Sequence, residues 1–347
     1  MMIGNERLVR LSTGPVADGV GDVALALARE MRDKHGWRGA RDGFQLQESW
    51  VKTSSQNVFH RLTSVPAGEG IVLKMASNGS KEVNADRMAD SMLDLADMLD
   101  HAGQGVTSLR PIGWLASPSV LATPYVEGVD LVDLLRDGNR AAWEHEEIVF
   151  DAVRAAGVAL ATFHASMGDV KVDDRSTARD EAVHLARRLA LPPRTASMLR
   201  SEADGVATVG RTYGDFGPGN IRLGHSGDVY VLDPPALQRV GLRHRDIAYF
   251  DFEVKKNLAG HGGDQRSRPV RGRESQIRAT FLDGYRAVSS FDPTREAAQA
   301  AIAAFQAVRC TAMARKRTRQ RRWGDVMWAL ASTAKLRRRT VRATTGT

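Results

Sequence analysis

The spacing of apolar residues changes period several times along the chain. Val20–Arg32 carries helical spacing, and Gly36–Gly43 reads as a loop. Phe44–Val51 and Val58–Thr63 have strand character, with polar residues between them. Gly68-Glu69-Gly70 marks a turn before the strand Ile71–Met75. Val83–Leu99 is strongly amphipathic, with Met88, Met92, Leu95 and Leu99 on one face of a helix. Ser108–Leu115 and Ser119–Tyr125 read as two short strands. Beyond Val126 the pattern turns helical: Asp130–Leu135, Glu147–His164, Asp180–Leu189, Arg194–Ala203, and most of Ser275–Arg339. One hairpin interrupts it, Asn220–Leu223 against Val229–Leu232. The pattern predicts an α+β fold with two lobes. It divides into an N-terminal extension over 1–45, a small sheet-rich N-lobe over 46–126, and a larger, mainly helical C-lobe over 127–347.

Composition narrows the class. Hydrophobic residues make up 42%, enough to bury a core and to exclude a disordered chain. The single cysteine, Cys310, excludes a disulfide framework and a cysteine-based zinc site, and is in keeping with a reducing cytoplasm. No apolar run approaches the ~20 residues of a membrane span. The first residues lack a signal-peptide pattern, so the expected location is cytoplasmic. The net charge of +8 points to anionic partners without choosing among them.

The chemistry concentrates in Tyr213-Gly-Asp-Phe-Gly-Pro-Gly-Asn220 and the hairpin that ends at Val231-Leu-Asp233. Asp215 sits in a loop stiffened by glycines and a proline. Asn220 enters the first hairpin strand and Asp233 leaves the second. The turn therefore returns Asp233 towards Asn220, giving two carboxylates and an amide oxygen at one hairpin end. Hard oxygen donors of this kind suit Mg²⁺, and a remaining carboxylate can accept a hydroxyl proton. Asp and Asn are also common turn formers, and on these residues alone both readings stand.

The segment resembles the catalytic loop and metal strand of the aminoglycoside phosphotransferase and choline kinase-like family, distant relatives of protein kinases. The family pattern H-G-D-x-x-x-x-N, a hairpin, and a strand ending in Asp is met by YGDFGPGN and VLD, followed by Arg245-Asp246-Ile247-Ala248. The resemblance covers residues 50–255 in family order. It implies a protein kinase-like fold, ATP and Mg²⁺ as cofactors, and transfer of the γ-phosphate to a hydroxyl of a small molecule. It implies Asp215 as catalytic base, Asn220 and Asp233 as Mg²⁺ ligands, and Asp246 as a brace for the loop. Lys74, in Ile-Val-Leu-Lys-Met, would contact the α- and β-phosphates. Its acidic helix partner would be Asp86 or Asp90, less favourably Glu82, and a closer alignment puts Met88 at that place. Ser54 and Ser55, in the loop Thr53–Asn57, would cover the nucleotide through backbone amides and hydroxyls. Backbone groups of Tyr125 and Val126 would bind adenine. His164, ending Leu160-Ala-Thr-Phe-His, has no evident partner and reads as a packing residue.

Two departures stand out: Tyr213 replaces the usual His, and Asp233 is followed by two prolines. Twelve basic residues lie between Arg309 and Arg342, with Asp325 the only acid. Trp323 and Trp328 sit among them. This segment is read as a solvated basic helix docked through its tryptophans, or as a surface for acidic lipid giving peripheral membrane contact. No nucleic-acid motif accompanies it. Such a cationic segment would repel a polycationic acceptor, so a sugar, glycolipid or related metabolite is expected rather than an aminoglycoside. The alternative function is a pseudokinase-type binding module acting through its basic surface.

Overall fold

The computed structural model describes residues 8–10, 20–35, 43–52, 57–65, 69–76, 85–103, 105–116, 119–136, 146–166, 172–234, 239–258, 268–319, 331–336 and 338. The chain divides into two compact units. One draws on Met1–Asp97, Ser108–Gly128 and Leu232–Leu237, and the other on Met98–Thr107, Val129–Val231 and Gln238–Thr347.

The first unit is built on a six-stranded sheet. Its strands are β1 (Leu8–Arg10), β2 (Gly43–Lys52), β3 (Asn57–Val65), β4 (Gly70–Ala76), β6 (Gly113–Leu115) and β7 (Val120–Pro124), in the order β1-β2-β3-β4-β7-β6. All of its pairings are antiparallel. Strand alternation sorts the side chains between two faces. Helix α1 (Val20–His35) lays Ala24, Leu27, Ala28 and Met31 on one face, against Phe44, Leu62, Ile71, Leu73, Val120 and Ala122. Helix α2 (Ala85–Ala102) starts in this unit and packs Met88, Ala89 and Met92 against Leu121, on the opposite face. The amphipathic stripe read from the sequence is therefore the buried one, with Leu95 and Leu99 also buried.

The second unit is mainly helical. Its helices are α3 (Leu131–Arg136), α4 (Glu146–Ala165), α5 (Val172–Leu189), α6 (Pro193–Asp204), α7 (His244–Leu258), α8 (Arg268–Val288) and α9 (Glu296–Arg319). A further turn of helix covers 331–336. Helix α4 lies at the centre. It is apolar and long enough to cross a bilayer, which corrects the expectation that no apolar run approaches that length. Two thirds of that stretch (67%) is buried inside the protein, so it is a core helix. Its close crossing with α8 requires glycine on both sides. A Cβ at Gly157 would meet the Phe281 carbonyl oxygen at 2.1 Å, and one at Gly284 would meet the Arg154 carbonyl oxygen at 2.1 Å.

Strand β8 (Gly128–Asp130), the hairpin β10 (Ile221–Gly224) and β11 (Val229–Val231), and β5 (Val106–Ser108) form a four-stranded sheet in the order β5-β11-β10-β8. Strands β9 (Val209–Thr212) and β12 (Arg239–Leu242) form a separate antiparallel pair. The architecture is the α+β one read from the pattern, with three differences. The stretch Ser108–Leu115 is divided between β5 and β6, which belong to different sheets. The β9–β12 pair was not anticipated. The predicted helix from Asp180 begins earlier, at Val172.

Candidate functional site

In the first unit the central residue is Lys74, in the middle of β4. It pairs in register with Leu121 and so shares the face that α2 covers. Its ammonium donates to Asp233 Oδ1 at 2.7 Å and sits 6.0 Å from the centroid of the Phe59 ring. This identifies the partner that the sequence left open. Asp86 and Asp90 are exposed on the outer side of α2, while Met88 occupies the inward face. Among the described residues, Lys74 thus takes its carboxylate from a position 159 residues further along the chain, and Glu82 lies outside them.

Asp233 has a φ of 51°. The left-handed region is uncommon for a residue with a Cβ, and the proline that follows further restricts the backbone. A carboxylate held in a sparsely populated conformation is the kind of strain that clusters at functional positions.

The Tyr125 amide donates to the Gly70 carbonyl at 2.8 Å, continuing the β4–β7 pairing. Its ring lies beneath the Arg61 guanidinium, 3.7 Å from the centroid, and Arg61 also approaches Glu127 at 3.9 Å. Of the backbone groups expected to meet adenine, the Tyr125 N–H is therefore engaged in the sheet. Ser54 and Ser55 lie outside the described residues.

In the second unit the loop Tyr213–Asn220 is held from below by a buried polar network. Asp246, in the first turn of α7, is fully buried. Its Oδ2 accepts the Tyr213 amide at 2.6 Å, and its Oδ1 accepts the Gly214 amide at 2.6 Å. His164 Nε2 also binds Asp246 Oδ2, at 3.0 Å, while its Nδ1 meets the Tyr285 hydroxyl at 2.7 Å. Since a carboxylate only accepts, Nε2 carries the proton and Nδ1 accepts from the tyrosine. Burial lowers the His164 pKa, although the hydrogen bond and the charge of Asp246 oppose it, so the ring is neutral. Arg243 in turn bonds the Tyr285 hydroxyl. The reading of His164 as a residue without a polar partner is thus corrected: its two partners lie 82 and 121 residues away, beyond the reach of any local pattern.

Above this brace, Tyr213 is buried and packs edge-on against Phe163 (5.4 Å between centroids) and Phe216 (5.1 Å). Gly214 takes a φ of 82°, which turns the chain so that both amides reach Asp246. The next residue, Asp215, is exposed. Asn220 is buried, and its Nδ2 donates to the Asp215 carbonyl at 2.9 Å, which leaves its Oδ1 as the acceptor end. Ile221 pairs with Val231 at the foot of the hairpin, so Asn220 immediately precedes β10 and Asp233 follows β11 by two residues. Arg222 in β10 binds Asp130 in β8 at 2.9 Å and ties the hairpin into its sheet.

Taken separately, the Asp233 carboxylate, paired with the Lys74 ammonium, and the Asn220 amide oxygen are each hard oxygen donors of the kind that suits a divalent cation. Among the described residues, no cluster of three or more His, Cys, Asp or Glu forms a ready-made metal cage. Mg²⁺ is normally held by one or two carboxylates together with substrate phosphates. An exposed carboxylate on a braced loop can orient a hydroxyl and accept its proton.

Of the basic segment, Arg309 turns inward onto aromatic rings, while Arg315, Lys316, Lys335 and Arg338 are exposed. Trp323 and Trp328 lie outside the described residues, and the expectation of membrane contact gains no support.

No protein-family model matches the chain, and no curated protein matches it by sequence. Solved structures resemble it at low identity. An ethanolamine kinase of Plasmodium vivax is 10% identical, with 85% of this chain and 82% of that one covered and a TM-score of 0.47. A glucosamine kinase in complex with glucosamine, ADP and inorganic phosphate is 18% identical, with 94% and 85% covered and a TM-score of 0.47. The GDP complex of a wild-type aminoglycoside 2'-phosphotransferase is 12% identical, with 80% and 89% covered and a TM-score of 0.35. At such identities and TM-scores these likenesses decide no function by themselves.

Proposed function

We propose that this chain is an ATP-dependent phosphotransferase of the aminoglycoside phosphotransferase and choline kinase-like type, acting on a hydroxyl of a small molecule. The observation that carries the reading is the 2.7 Å ion pair between Lys74 and Asp233. Two residues assigned to the phosphate side from separate parts of the sequence are bonded to each other. In this reading Lys74 binds the nucleotide phosphates, while Asn220 and Asp233 hold Mg²⁺. Asp215 orients the acceptor hydroxyl and takes its proton. The bound cation would neutralise charge on the phosphates. The rest of the rate enhancement comes from positioning and fixed charge. Asp246 does no chemistry: it keeps the loop amides in place, so that Asp215 is presented on a rigid support.

The acceptor class follows from charge. A net charge of +8 and a guanidinium at Arg309 that faces the rings of α7 disfavour a polycationic acceptor. A sugar, glycolipid or related neutral or anionic alcohol fits better. The test is ADP release from ATP and Mg²⁺ with glucose, glycerol and streptomycin offered as acceptors. Turnover with a sugar or polyol above the acceptor-free rate is the expected result, and strong turnover with streptomycin would overturn the acceptor class. Absence of any thermal stabilisation by ATP and Mg²⁺ would favour the binding-module alternative, since a ligand at 100 times its Kd adds about 2.7 kcal/mol.

A further inference from the structure

Helix α7 touches the Asp215 loop a second time. Asp246 and Tyr249 are three residues apart and so lie on one helix face. Asp246 takes the loop amides at 213 and 214, while Tyr249 reaches the loop one turn later. Its ring packs so closely on Gly217 that a Cβ there would meet Tyr249 Cε1 at 2.9 Å. Its hydroxyl is hydrogen-bonded to the Asp215 side chain. The ring is fixed on its other side by α9, where the Arg309 guanidinium stacks 3.9 Å from its centroid. Burial, with the charges of Glu253 and Asp215 adding to it, raises the Tyr249 pKa, while Arg309 opposes the rise. The phenol is therefore a neutral donor throughout the working pH range.

Resting on the phosphotransfer reading of Asp215, we infer that Tyr249 is a positioning residue. Its hydroxyl holds one carboxylate oxygen of Asp215 and leaves the other for the acceptor hydroxyl, and Arg309 locks the ring that carries it. The bond donates to the carboxylate and transfers no proton. Glu253 belongs to the same arrangement: its Cγ lies 3.4 Å from where a Gly217 Cβ would be, and its carboxylate is paired with Lys256. Arg309 is thereby left as the cation facing the Tyr249 ring. Tyr249 has no signal in the sequence: it directly follows the R-D-I-A motif and reads as one more aromatic of an amphipathic helix.

The test compares wild type, Tyr249→Phe and Tyr249→Leu in the full chain, with ATP hydrolysis to water as the assay. Hydrogen exchange of the loop amides 213–217 serves as a second readout. Tyr249→Phe keeps the ring against Gly217 and Arg309 and loses only the donor. It should lower kcat about tenfold, the size of one hydrogen bond to a charged group, with KM for ATP changed by less than about twofold. Its loop amides should exchange faster than those of the wild type. A Phe variant equal to wild type in both readouts, with only Leu defective, would make Tyr249 a packing residue and overturn the inference. If the wild type binds ATP but turns over none, either with water or with the sugar and polyol acceptors, the phosphotransfer reading fails by itself. The exchange comparison then decides whether the hydroxyl orders the loop.

Discussion

At the residue scale, His164 ties stability to pH. Its neutral form is favoured by burial, which holds its pKa below the ordinary 6.5 despite the opposing hydrogen bond and charge of Asp246. His60, bonded to Ser49 at 2.7 Å, is lowered by burial as well. Below pH 6.5 the unfolded chain binds protons that the native chain refuses. Stability is thus fully present above that value and is lost as pH falls through it. The slope for each group is at most about 1.4 kcal/mol per pH unit. Thermal melts should give a constant Tm from pH 8 down to about 7 and a falling one below. A Tm that rises on acidification would contradict the neutral assignment of both rings. The partners of His164 were illegible in the sequence because they lie on α7 and α8, far from α4 in chain order. Met88 was legible from the periodicity that put it on the apolar face of α2, whereas Asp86 and Asp90, expected as partners of Lys74, are exposed on that helix.

At the element scale, α7 serves the loop as well as the core, where it buries Ile247, Ala248, Phe250, Phe252 and Val254. Its first turn brings a buried carboxylate to two backbone amides and an imidazole, and its second brings Tyr249. Asp246→Ala would leave these three donors buried without a partner. At roughly 1–3 kcal/mol for each unsatisfied group, the loss should be about 3 kcal/mol after partial relaxation. The loop would lose its support at the same time. Denaturant melts should show that loss together with a fall in turnover larger than any change in ATP affinity. A variant of wild-type stability would mean that the loop holds its shape without α7. Long amphipathic helices such as α2 and α4 were readable because burial is written in their periodicity. Strands β9 and β12 were not. Each is four residues long, with arginines and glycines in place of an alternating apolar face, and their pairing joins segments separated by the whole β10–β11 hairpin. Strand β5 was not read as a separate strand for a related reason, since its pairing with β11 follows no local turn.

At the scale of the whole molecule, the first unit by itself holds the Lys74–Asp233 pair, and the second by itself holds Asp215, exposed on a braced loop. Asp215, Asn220 and Asp233 could be named from the sequence because they are hydrophilic and closely spaced, whereas the pairing of Lys74 with Asp233, 159 residues away, follows no local pattern. The charge of +8 bears on what the protein attracts, and it bears on the acceptor through Arg309. The central claim is that Asp215 is the base for transfer of the γ-phosphate. It is tested most directly by ATP turnover of Asp215→Ala beside the wild type, with thermal stabilisation by ATP and Mg²⁺ read on the same samples. The account predicts turnover lowered by roughly 10²–10⁴-fold while nucleotide stabilisation persists, because Lys74 and Asp233 are intact. Near-normal turnover in Asp215→Ala would contradict it.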